Sequence, residues 1–203
     1  MKFNIFKKLL KNNDFVFCLC QDTGDEIFYT EYSCLELLVA SLNDKVTNDP
    51  LHTSAKYDIL EEVVEATGAT FKYDHLSDSE KSKLEEILED SRKITSISIN
   101  YDVSLMLTYL KSAIKSIAPE FKASIDNPPN SLMIKEGMEI RCCKRPYKSV
   151  DKKMVDRKKG DRKNMPSYDI ILMYEPQYQN LVESFKKNLN SMLGRESSTI
   201  IKK

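Results

Sequence analysis

The chain has no tryptophan, two histidines and five glycines. The scarcity of glycine excludes the most. A loop that cradles phosphate needs glycines at fixed offsets so that its backbone can wrap the anion, and neither G-x-x-x-x-G-K nor G-x-G-x-x-G occurs. The common nucleotide-binding folds are therefore not expected. The histidines, His52 and His75, stand beside no nucleophile motif, and both read as surface residues. No apolar run approaches the ~20 residues that a membrane-crossing helix needs. There is also no secretory apolar segment.

Cysteine is limited to Cys18, Cys20, Cys34, Cys142 and Cys143. An odd number does not make a disulfide framework, which points to a reduced, cytoplasmic protein. Cys18-x-Cys20 and Cys142-Cys143 lack the two-residue spacer that lets paired thiolates chelate zinc. Buried thiols acting as small apolar groups are the simpler reading. No metal, no cofactor and no catalytic residue are expected. Lysine outnumbers arginine, and asparagine and isoleucine are frequent, which hints at an A/T-rich coding sequence such as that of a viral or mobile-element accessory protein.

What the chain does have is charge, unevenly placed. Residues 1–133 hold 14 basic and 22 acidic residues, a balance of minus 8, whereas residues 134–203 hold 17 and 9, a balance of plus 8. The excess is confined to the arm 141–163, RCCKRPYKSVDKKMVDRKKGDRK, with eleven basic and three acidic residues. Its basic residues are Arg141, Lys144, Arg145, Lys148, Lys152, Lys153, Arg157, Lys158, Lys159, Arg162 and Lys163. A near-repeat of period five runs through Asp151-Lys152-Lys153, Asp156-Arg157-Lys158 and Asp161-Arg162-Lys163. Five residues turn a helix by roughly 140°, and they flip a strand to its other face. Neither geometry gathers the charge on one side. With Pro146, Gly160 and Pro166 as punctuation, the segment reads as an exposed loop. A solvated loop with no partner is the plain alternative.

The functional expectation is a non-enzymatic binding or assembly protein. The arm would contact an acidic protein surface or copies of the same chain. The alternative is a nucleic-acid-binding accessory protein that makes sequence-independent contacts to the phosphate backbone. Tyr147 is the arm's single aromatic, too few platforms for stacking on bases. The interleaved aspartates also weigh against phosphate. A distant third is a metal-dependent nuclease, with Asp126 and Glu139 holding Mg²⁺ and Arg141 or Lys144 on the scissile phosphate.

Hydrophobic spacing predicts a single α+β domain with two β-hairpins and about five to six helices. Residues 1–127 form an acidic mixed region. Residues 128–203 form a hairpin, with the arm inserted between its strands, and a final amphipathic helix. Phe3, Phe6, Leu9 and Leu10 suit a basic helix over Lys2–Lys11. Phe15–Cys20 and Ile27–Thr30 flank a D-T-G-D turn, the first hairpin, whose leading strand is apolar on both faces and so is expected to be central or covered. Ser33 with Glu36, and Ser77 with Glu80, form candidate capping boxes. Ser54 is a candidate cap for another helix ending near Gly68. Ile94–Tyr101 alternates as a strand, and Asp102 caps a helix stopped by Pro119. Asp126-Asn127-Pro128-Pro129-Asn130 is a stiff break. Leu132–Cys143 and Tyr168–Tyr174 read as the strands joined by the arm. Glu175-Pro176 opens the last helix, with Tyr178, Leu181, Val182, Phe185, Leu189, Met192 and Leu193 as its stripe.

Overall fold

A computed structural model describes residues 2–10, 13–48, 54–56, 72–100, 102–146 and 167–194. Among them are two largely antiparallel sheets and four α-helices, a mixed α+β architecture.

The first sheet contains β1 (Lys2–Leu9), β2 (Phe15–Asp22), β3 (Ile27–Tyr32), β4 (Ser54–Lys56) and β5 (Tyr73–Asp74). Its order is β3-β2-β1-β4, with β5 also paired to β1. The expected N-terminal helix is thus a strand. β1 lies inside the sheet and is apolar on both faces, Phe3 and Ile5 in one cluster and Phe6 in another. A strand covered on both sides loses its period of two, and the leftover spacing imitates a helix. The predicted hairpin β2–β3 is present, and β2 is the covered strand. Ser54 belongs to β4, so it does not cap a helix; the rest of that expected helix lies outside the described residues.

Two helices cover one face of this sheet. Leu35, Leu38, Val39 and Leu42 are buried along α1 (Leu35–Asn48), and Leu84 and Ile87 along α2 (Asp78–Glu89). At α2 the capping box forms: Ser77 Oγ accepts from Glu80 N, and Glu80 Oε2 accepts from Ser77 N at 2.7 Å. At α1 it does not, because Ser33 and Glu36 are drawn into tertiary contacts described below. The outward side of α2 carries exposed Glu85, Glu86 and Glu89, whereas Asp90 turns back to Arg92.

The second sheet has the order β6-β9-β8-β7, from β6 (Lys93–Asn100), β7 (Leu132–Lys135), β8 (Met138–Lys144) and β9 (Ser167–Tyr174). Leu132–Cys143 is therefore two strands, folded at Glu136-Gly137. Gly137 sits at φ +74°, a left-handed position that glycine accepts without strain. The expected pairing across the arm is present, with Lys144 opposite Tyr168. One face of the sheet offers Ile97, Ile99, Ile140, Ile170 and Leu172 to α3 (Val103–Ile117) and α4 (Gln179–Met192). Phe185, fully buried, lies in this cluster. Asp102 caps α3 through Ser104 N at 2.9 Å, and a 3-10 turn, Pro176–Tyr178, leads into α4. In sequence the Pro-Pro break falls between elements of one core, because β6 and α3 precede it and share a cluster with the elements that follow.

The opposite face of the second sheet meets α1. Ile171, Met173 and Cys143 pack there against Cys34 and Leu37, and this seam joins the two sheets.

Candidate binding surface and its polar root

Alternation along β8 and β9 sends every second side chain into the seam. From β9 that includes Asp169, the one carboxylate in the otherwise apolar run Tyr168–Tyr174. From β8 it includes Glu139, Arg141 and Cys143. Buried carboxylates need partners, and these have them.

Asp169 is held by Arg145, which leaves the end of β8. Arg145 Nε lies 3.0 and 2.9 Å from Asp169 Oδ1 and Oδ2, and its terminal nitrogen lies 2.7 Å from Oδ1. Ser33 Oγ donates to Asp169 at 2.6 Å and Ser98 Oγ at 2.7 Å; Arg145 also contacts the Ser98 hydroxyl. Burial alone would push the Asp169 carboxyl up. The Arg145, Ser33 and Ser98 hydrogen bonds outweigh it and hold the group below its usual range. The fork geometry explains why arginine, not lysine, stands there.

Glu139 is the centre of a second cluster. It accepts from Arg141 Nε at 2.7 Å, from Ser131 Oγ at 2.6 Å and from Arg92 at 3.0 Å. Arg141 reaches on to Glu36 of α1 at 2.8 Å, where Lys83 of α2 also binds at 2.9 Å. Burial opposes ionisation at both glutamates, but these cations keep both below the ordinary glutamate range. Glu36 is thereby tied to two cations from other elements, Lys83 and Arg141.

Of the eleven basic residues expected to bind a partner, the structure describes three. Arg141 is half-buried in the seam and Arg145 is locked on Asp169. Lys144 ends β8 and is exposed. Lys148, Lys152, Lys153, Arg157, Lys158, Lys159, Arg162 and Lys163 lie outside the described residues. The chain enters the arm from β8 and leaves it into β9, and this root is tied by Arg145 N donating to Ser167 O at 2.8 Å.

The nuclease constellation is not brought together. Asp126 is exposed beside Lys111 of α3, on one side of the second sheet, whereas Glu139 faces the seam on the other. Among the described residues no group of three or more His, Cys, Asp or Glu side chains is arranged to hold a metal ion. His75 is exposed against Tyr73, and His52 lies outside the described residues. No described helix is long and apolar enough to cross a membrane. A cleft of about 530 Å³ opens near the end of α3, edged by Lys111, Lys115 and Lys122 over Ile114, Phe121 and Ile125.

The seam network was missed in the sequence, although one signal was present. A lone aspartate within Tyr168–Tyr174 demands a cation, and Arg145 is the residue that lies almost opposite across the hairpin. No family model, curated protein or solved structure matches this chain.

Proposed function

We propose that this protein is a non-enzymatic binding or assembly protein that docks on an acidic protein surface, supplied by a partner or by another copy, through the basic arm. The single observation that carries this reading is the division of charge. The arm 141–163 holds all of the net positive excess, and the body carries exposed acidic side chains such as Glu85, Glu86 and Glu89 on α2. Such complementarity steers association and makes it salt-sensitive.

The geometry refines which residues would do this. Arg141 and Arg145 spend their charge on Glu36, Glu139 and Asp169. The contact set then becomes Lys144 with the eight basic residues from Lys148 to Lys163, while the two arginines fix the root from which the arm departs. Binding to a nucleic-acid backbone is the second reading, favoured by the same lysines and disfavoured by a neutral chain with interleaved aspartates.

Light scattering after size exclusion separates the two, run on the full chain at low and at moderate salt, with and without duplex DNA. Protein-only association that dissolves as salt rises supports contact between copies. A complex that forms only with DNA supports the nucleic-acid reading. A monomer that stays alone under all four conditions removes both self-association and DNA, leaving a foreign acidic partner.

A further inference from the structure

Two cysteines separated by most of the chain meet at the seam. Cys34 immediately precedes α1, and Cys143 lies on β8. They pack in one small cluster with Ile171 and Met173. The Cys143 thiol donates to the backbone carbonyl of Ser33, the residue before Cys34, at 3.3 Å. Cys34 is buried and Cys143 is partly open to solvent. Cys142, next in sequence, points to the other face of the sheet, into the core with α3 and α4. Cys18 and Cys20 are buried in the first sheet. Of the five thiols, Cys143 is the one partly open to solvent, and Cys34 packs in its cluster.

We propose that Cys34 and Cys143 are a peroxide-sensitive dithiol that closes into a reversible disulfide across the seam between the two sheets. Cys143 is the attacking sulfur, because it is the more accessible. The neighbouring Cys34 thiol also favours the Cys143 thiolate, holding the Cys143 thiol below its usual range, while that interaction and burial raise Cys34. The Cys143 thiolate attacks one oxygen of hydrogen peroxide and the O–O bond breaks. The departing hydroxide takes a proton to become water, and Cys143 is left as a sulfenic acid. The Cys34 sulfur then attacks the Cys143 sulfur. The S–O bond breaks, and the leaving hydroxide carries off the Cys34 proton as a second water. Two thiols are oxidised to one disulfide while one peroxide is reduced to two waters. A dithiol reductant reverses the bond by exchange. The closed bond would tie α1 to β8 two residues before Arg145, beside the root of the arm.

The experiment treats the folded full-length protein with hydrogen peroxide, with circular dichroism before and after to confirm the native state. Peptide mass mapping without reduction then follows. The proposal expects a cross-link between the Cys34 peptide and the peptide bearing Cys142 and Cys143, reversed by dithiothreitol. It should persist in Cys142→Ser and vanish in Cys34→Ser and in Cys143→Ser. In Cys34→Ser, Cys143 should instead be trapped as sulfenic acid and react with dimedone. A cross-link lost in Cys142→Ser overturns the proposal. So does a native protein whose Cys143 proceeds to sulfinic acid with Cys34 still free, or one whose thiols all remain unreacted.

Discussion

Truncating Arg145 to alanine leaves the Asp169 carboxylate, 3% exposed, with two hydroxyl donors and no cation. Stranding a buried charge costs about 3–5 kcal/mol. The two serines remain and the Arg145 side chain is 41% exposed, so a loss near the lower bound is expected. Urea denaturation of Arg145→Ala measures it, and a change below about 1 kcal/mol would mean that the pair is incidental. Lys144→Ala, on the exposed neighbour, should stay within about 0.5 kcal/mol. The same carboxylates set the acid limb. Asp169, Glu36 and Glu139 are all depressed in the folded protein. Their contribution is present above the unfolded values of about 3.9 for Asp and 4.3 for Glu. It is lost as pH falls through the lower folded values, because the unfolded chain then binds protons first. Melting temperature should therefore drop steeply below about pH 4, and less steeply in Arg145→Ala. An identical pH profile for the two proteins would sever the link between Arg145 and Asp169.

At the scale of elements, the β7–β8 turn gives the sharpest test. A Cβ built on Gly137 would lie 2.5 Å from the Glu175 carboxyl carbon, and the backbone there stands at φ +74°. The carboxyl is the end of a movable side chain, whereas the left-handed backbone is not negotiable. Gly137→Ala should cost roughly 1 kcal/mol or more, chiefly through φ. Adding Glu175→Ala should return little of it, and full recovery would show that the clash dominates. The same turn shows where the sequence was legible. Strands and helices with one buried face were readable: α2 with its Ser77–Glu80 box, α3 behind Asp102, and α4 with its stripe through Phe185. Elements covered on both sides, or capped by distant groups, were not. β1 hides its period because Phe3 and Phe6 are both buried on opposite faces. The Ser33–Glu36 box is overruled by Asp169, Arg141 and Lys83, which no local pattern reveals. A two-residue turn around one glycine is too small a signal to divide Leu132–Cys143.

At the scale of the molecule, the arm beyond Arg145 is expected to be separable from the cores. Among the three basic residues described, Arg141 and Arg145 support the seam and Lys144 does not, so a clean deletion must begin beyond Arg145. Replacing Lys148–Lys163 with a short Gly-Ser linker leaves the β8–β9 ladder and both ion-pair clusters in place. Loop length alters closure entropy slowly, by about 0.6 kcal/mol per doubling, so the melting temperature should change little. A deletion that unfolds the protein would make the arm a packed element. The most direct test of the account is the affinity of the full chain and of this deletion for poly-L-glutamate, by fluorescence anisotropy across a salt series. The account predicts binding by the full chain that weakens steadily as salt rises, and loss of that binding in the deletion well beyond the effect of any one lysine. Equal binding by the two proteins, or affinity indifferent to salt, would contradict it.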